Sequence, residues 1–353
     1  MTFRGPGLNS ESLLNLAASA IQGIKRAQFE RVPKMVLFTD GGLAQSPAVQ
    51  ARIKLIGVCA VLVIGGGCWW WMAHQVPRYG QAALAQTEAI LALGPRPAGS
   101  EASQAVRQRL RGQLEAAGWV CVGQVFERGT AQGEVKFENL RARFAGGDSD
   151  PWQRAAKGLL CAHMDSKAIK QERFLGADDS ASACGAMLEI ARVLASSRPQ
   201  QAKQMELVFF DGEEAFGKDI TAFDGLYGSR HYANSWPTNV SKPSFGVLLD
   251  MIGHKDLAIR LPSDTPDVLR EAVLAAAAKQ GAGKYFAVGP IPITDDHTPL
   301  TRAGFPMVDI IGDFTQFSWW HTPADNFRNL SADSLDISIR VTLDVLGRLL
   351  KQP

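Results

Sequence analysis

The chain has 353 residues, 46% of them hydrophobic, and a formal net charge of +2. That length fits one large or two medium domains, and so balanced a charge provides no basic footprint for a nucleic-acid partner. There is no internal repeat, no low-complexity tract and no pair of CxxC motifs of the kind that builds a structural zinc module.

Residues 1–54 contain one short amphipathic stretch, "SESLLNLAASAIQGI", to which no function is assigned. Residues 55–73, "LIGVCAVLVIGGGCWWWMA", carry no charge and are long enough to cross a bilayer as a single helix. Trp69, Trp70 and Trp71 stand at its C-terminal end, where an interfacial aromatic belt is expected. Lys25, Arg26, Arg31, Lys34, Arg52 and Lys54 precede it. The positive-inside rule then places residues 1–54 in the cytoplasm and the rest of the chain outside, in a periplasmic or other extracytoplasmic space. Glycine-richness and uniform apolarity argue against a buried core helix here, and the late start argues against a cleaved signal peptide. Of the five cysteines, Cys121, Cys161 and Cys184 lie in the outer part, where oxidation is allowed. One disulfide and one free thiol is the simplest expectation.

Residues 74–93 read as a connecting helix ending before Gly94-Pro95. Ser100 has the chemistry of an N-cap, and Val106, Leu110 and Leu114 recur at helical spacing, predicting a helix to about Ala117. "WVCVGQVF" and "ENLRARF" have strand composition, and "GGDSDP" is a loop. From there apolar strands alternate with helices: "GLLCAH", then the helix "SASACGAMLEIARVLA", then "MELVFF", "FGVLL", a helix over 267–280, "PMVDII" and a closing amphipathic helix, "SADSLDISIRVTLDVLGRLLK". Continuous apolar strands alternating with helices imply an α/β fold with its sheet covered on both faces.

The strand ends carry the chemistry. "GLLCA" leads to His163 and Asp165, "MELVFF" to Asp211, Glu213 and Glu214, and "FGVLL" to Asp250, while "PMVDII" leads a loop later to His321; Asp179 lies just before a helix start. Ligands of open α/β sheets bind beyond the carboxyl ends of the strands, so these groups can share one rim. Singly, each has an ordinary explanation: Asp179 as a helix cap, Glu213-Glu214 as a solvated turn, His321 as a packed histidine beside Trp319 and Trp320. Together, carboxylates mixed with imidazole suit Zn²⁺.

"GPRPAGS", "HMDSK", "FLGADDSASAC", "FFDGEEAF", "LYGSRH", "LLDMIG", "DDHTPL" and "WHTPADN" resemble the corresponding segments of the animal-type glutaminyl cyclases (glutaminyl-peptide cyclotransferases), in the zinc aminopeptidase-like superfamily. The resemblance spans residues 94–353 and excludes the expected anchor, and the fold it implies is a three-layer sandwich with a mixed, mostly parallel central sheet. It implies one zinc ion held by Asp179, Glu214 and His321, Glu213 as proton shuttle, and Asp250 and Asp295 hydrogen-bonding nearby. It also implies a substrate pocket lined by Trp320 and by Phe317 or its alternative Phe314. The substrates implied are peptides or proteins with N-terminal glutamine, converted to pyroglutamate with release of ammonia.

The sequence departs from the family at several points. No tryptophan follows the double glutamate, where Phe223 is one aromatic that could compensate, and Thr294 replaces a glutamine. The cysteine facing the family's disulfide position is Cys161 rather than residue 162, and one step along a strand reverses the face. The principal alternative is a di-zinc aminopeptidase, which would use His163, Asp179 and Asp250 for one metal and Asp179, Glu214 and His321 for the other. A catalytically inactive tethered peptide-binding domain is the second; the intact Glu213 opposes it.

Overall fold

A computed structural model describes residues 78–169, 172–316 and 318–351 of the chain. The expected span at 55–73, and residues 1–54 before it, lie outside the described residues. Among the described residues, no helix is long and apolar enough to cross a membrane.

Helix α1 runs Gly80–Leu91, within the expected connecting helix, and α2 runs Glu101–Ala116. Ser100 caps α2, its Oγ accepting the Ser103 N–H at 3.1 Å, as its position predicted. Strands β1 (Trp119–Thr130) and β2 (Gly133–Phe144) form an antiparallel hairpin. β3 (Gly158–His163) is followed by α3 (Ala183–Ser197), β4 (Met205–Phe210), α4 (Tyr227–Asn234) and β5 (Phe245–Asp250). Next come β6 (Ile259–Leu261), α5 (Asp267–Lys279), β7 (Phe286–Val288), α6 (His297–Arg302), β8 (Met307–Ile311) and α7 (Ala332–Leu349).

The six-stranded sheet has the order β1-β2-β4-β3-β5-β8. β2 meets β4 antiparallel, whereas β4, β3, β5 and β8 run parallel. The fold is therefore α/β with a mixed, mostly parallel sheet. β3, β4 and β5 are buried at every position, which is why their sequences show no polar alternation. One face packs Leu160, Ala162, Leu207, Phe209, Val247 and Leu249 beneath α1, α3 and α7. The other packs Leu159, Cys161, Val208 and Phe210 against Tyr232 of α4 and Leu300 of α6. α1 approaches α3 closely: a Cβ on Gly185 would stand 2.6 Å from the Ala83 carbonyl oxygen.

This two-faced packing corrects the disulfide expectation. Cys121, Cys161 and Cys184 are all free thiols. Cys161 belongs to one core and Cys184 to the other, so the sheet separates them.

At the start of β4, Glu206 is wholly buried, in contact with Arg141 at 2.7 Å, Arg143 at 2.5 Å and the Tyr232 hydroxyl at 3.2 Å. The carboxylate balances two guanidinium groups where the antiparallel and parallel parts of the sheet join. Replacing it by alanine strands those cations, and breaking a buried ion pair from one side costs about 3–5 kcal/mol. Denaturant titration of Glu206→Ala should show a loss of that size with an unchanged m-value.

Candidate metal centre

The parallel strands deliver their ends to one rim. His163 ends β3, Asp250 ends β5, and Glu213 and Glu214 follow β4 directly. Asp179 sits in the turn Ala177–Ser182 before α3, with a non-helical backbone, and His321 in the loop after β8. His321 Nε2 lies 3.4 Å from Asp179 Oδ2 and 3.4 Å from Glu214 Oε2. His163 Nε2 lies 3.2 Å from Asp179 Oδ1 and 3.4 Å from Asp250 Oδ1. Asp179 is thus common to two groups that could each hold a metal ion.

The first group fits zinc on two counts. Tetrahedral bonds of about 2.0–2.1 Å put neighbouring donors roughly 3.4 Å apart, which is the spacing of His321 from both carboxylates. Glu214 Oε1 is buried and accepts no hydrogen bond, an arrangement that leaves a carboxylate oxygen available to a cation.

The loops that present these groups are fixed by carboxylates acting on backbone. Asp165 accepts the N–H groups of Glu213 and Glu214 at 3.2 and 3.3 Å. Asp325 accepts those of Asp178 and Asp179 at 2.7 and 3.2 Å, and Asp178 accepts that of Gly253 at 2.7 Å. Buried Arg96 donates to the carbonyls of Met164 (2.8 Å), Leu175 and Gly176 (2.9 Å). Gly176 has φ 55°, and a Cβ there would stand 2.0 Å from the Asp179 carbonyl oxygen, so only glycine fits the turn that carries Asp179. Met251 and His321 adopt φ of 50° and 53° without being glycine, conformations that persist only when their surroundings hold them.

Burial dominates the electrostatics. It pushes the Glu213 carboxyl well above the ordinary glutamate range, with Asp295 and Glu214 adding to the rise and His163 opposing it. Burial likewise raises Asp250, Asp295 and Asp309. His321 would be lowered by burial, but Asp179 and Glu214 carry it up to about 9.

Glu213, Asp250 and Asp295 open with Asp179, Glu214 and His321 onto one cavity of about 540 Å³. Trp320 lines it, its ring stacked on His321 at 4.0 Å between centroids. Phe314 lines it too; Phe317 lies outside the described residues. The aromatic substitution expected at Phe223 is corrected: that ring is 89% exposed, and Ile220 from the same segment reaches the cavity instead.

The model of peptidase family M28 matches residues 139–346. A curated relative, the mouse glutaminyl-peptide cyclotransferase-like protein, is 34% identical over 267 residues, covering 67% of each chain. The chain belongs to peptidase family M28, in its glutaminyl-peptide cyclotransferase group. Among solved structures, Porphyromonas gingivalis glutaminyl cyclase superposes with a TM-score of 0.68 at 27% identity, covering 76% of this chain and 98% of that one. A Zn-dependent exopeptidase from Parabacteroides distasonis gives 0.67 at 28%, covering 77% and 99%.

In this M28 chain, Arg96, Asp165, Lys167, Asp309 and Asp325 carry contacts that the sequence reading left without a role. Lys167 Nζ lies 3.4 Å from Glu214 Oε2, and Asp309 Oδ2 lies 3.3 Å from His297 Nδ1. Asp309 had a visible signal, a charge inside an apolar strand. The others sit inside the motif segments, but Arg96, Asp165 and Asp325 hold backbone atoms that no motif names, and Lys167 reaches both Glu214 and the Ala215 carbonyl. Arg96→Met should leave the Met164 and Leu175 carbonyls without this donor, at about 1–3 kcal/mol each, and the Gly176 carbonyl with only the Ala181 N–H. The expected result is a loss of about 3 kcal/mol or more, with amide exchange accelerated first across residues 172–182.

Proposed function

We propose that the chain is a zinc-dependent glutaminyl-peptide cyclotransferase, converting N-terminal glutamine of peptides or proteins to pyroglutamate and releasing ammonia. The observation that carries this is Glu213, a buried carboxyl with a raised pKa that faces the cavity beside Glu214 and Asp295. Asp179, Glu214 and His321 would hold the zinc ion. When bound there, zinc supplies a Lewis acid toward the γ-carbonyl oxygen of the glutamine.

Glu213 takes a proton from the substrate's α-amine as that nitrogen bonds to the γ-carbon. It then gives the proton to the departing amide nitrogen, which leaves as ammonia when its carbon–nitrogen bond breaks. A carboxyl shifted toward working pH performs both transfers better than one at its ordinary value. Asp250 and Asp295 stand with Glu213 on the cavity, and Trp320, 37% exposed, lines one wall. Residues 55–73 are proposed as the membrane anchor, with residues 1–54 cytoplasmic and the catalytic domain periplasmic. The charge-free run and its basic flank support that placement.

The second group, His163, Asp179 and Asp250, supports a rival reading, a di-zinc aminopeptidase. Incubating the chain with a glutamine-initiated peptide separates the two. The cyclase releases ammonia and shortens the peptide by no residue, and chelation abolishes this until zinc is restored. The peptidase releases a free amino acid and carries two metals per chain.

Glu213→Gln should keep its zinc by elemental analysis while ammonia release falls about 10²–10⁴-fold. Asp295→Asn removes a neighbouring negative charge, which lowers the Glu213 pKa. The acid limb of kcat should therefore move to lower pH in that variant. An unmoved limb would separate Asp295 from the shuttle.

A further inference from the structure

β8 carries an aspartate inside an apolar strand, "MVDII", and every one of its positions is buried. Side chains alternate along a strand. Val308 and Ile310 join the core beneath α1, α3 and α7, while Met307 joins the opposite core with Leu300 of α6. Asp309 therefore points to the α6 side, where it is wholly buried. Asp165 and Asp325, buried as well, are met by backbone N–H groups. Among the described residues, no N–H or hydroxyl donates to either oxygen of Asp309. A carboxylate so placed is costly unless a proton or a cation compensates it.

The turn into α6 brings two more groups. Asp295 Oδ1 accepts the Asp296 N–H, which leaves Oδ2 buried without a donor. His297 is only 6% exposed. Its Nδ1 lies 3.3 Å from Asp309 Oδ2 and makes no hydrogen bond, so an unpartnered imidazole nitrogen is aimed at an unpartnered carboxylate. Burial pushes the His297 pKa down, and the neutral ring is the form that binds metal ions. One donor atom each from Asp295, His297 and Asp309 lies within 4.8 Å of the other two. Small side-chain shifts would close that spacing around one ion with bonds of about 2.0–2.2 Å. Asp295 also faces the cavity, which gives an ion a path from solvent.

We propose that Asp295, His297 and Asp309 form a further divalent-cation site, distinct from Asp179, Glu214 and His321 and from His163, Asp179 and Asp250. An imidazole beside two carboxylates favours Zn²⁺ or a similar first-row ion over Mg²⁺ and Ca²⁺, which prefer oxygen alone. The site does not depend on which reaction the cavity carries. The competing account is a proton shared between Asp295 and Asp309, which are close enough for one.

The test strips the full chain with chelator, returns Zn²⁺ alone at neutral pH, and follows binding by calorimetry and elemental analysis. One equivalent should bind that His297→Gln and Asp309→Asn each weaken by about 100-fold or more and that His163→Gln leaves in place. His321→Gln should lose a different equivalent and keep this one. In chelator, Asp309→Asn should melt no lower than the unsubstituted chain, because it removes an uncompensated buried carboxyl. Added Zn²⁺ should then raise the melting temperature less in that variant. Zinc binding unchanged by Asp309→Asn would overturn the site and leave a shared proton only. An equivalent lost in His163→Gln but kept in His297→Gln would overturn it too, since that ion would belong to the rival two-metal group. So would an Asp309→Asn chain that melts far lower in chelator, which would make Asp309 a structural partner. Ammonia release does not enter this count, so failure of the cyclotransferase reading would leave the site standing.

Discussion

The site is governed by a surplus of buried negative charge. Asp165, Asp178, Asp179, Glu213, Glu214, Asp250, Asp295, Asp296, Asp309 and Asp325 are all buried around one rim. The nearby cationic side chains, Arg96, Lys167, His163 and His321, are too few to match them. A carboxylate removed from water survives as an anion only if hydrogen bonds or a positive charge replace its hydration. Three devices share that work here. Backbone N–H pairs serve Asp165 and Asp325. Raised pKa values at Glu213, Asp295 and Asp309 let protons take up part of the charge as pH falls. Asp179 and Glu214 remain, with His321 between them, as the pair best suited to a divalent cation.

The fold makes this concentration possible without scattering the groups. Parallel strands begin and end together, so β3, β4 and β5 bring their last residues to a common level. The helix starts that follow offer free N–H groups. The apolar strands beneath contribute rigidity, and a packed core resists displacement. Clamps such as Arg96 then hold the loops that the strands cannot reach. Left-handed residues at Met251 and His321 mark where the chain is bent out of an easy path to aim a side chain at the cavity.

Much of this was legible in the sequence. The limits of β3, β4, β5 and α2 fall within a few residues of the pattern, because β3, β4 and β5 are uniformly apolar and α2 keeps strict helical spacing. The convergence of His163, Glu214, Asp250 and His321 followed from their positions at strand ends. What stayed hidden depends on long-range backbone partners. Asp165 and Asp325 look like any loop aspartates until the N–H groups they accept are known. Phe223 failed as a substitute because composition cannot tell which residue of a loop turns inward; Ile220 does. Cys161 and Cys184 stayed apart for a reason that alternation along β3 already contained.

His163 bears on how many cations the rim requires. Its Nδ1 lies 3.5 Å from Asp165, and its Nε2 lies within 3.4 Å of both Asp179 and Asp250. Burial alone would push its pKa down, but hydrogen bonds to these carboxylates raise it well above the ordinary value. As an imidazolium it is already a cation placed between Asp179 and Asp250, where a second metal would sit. A metal ligand must be neutral imidazole, so a second ion can enter only by displacing that proton. Asp179 is common to both groups of ligands, so the composition of the site alone does not separate one-metal from two-metal chemistry.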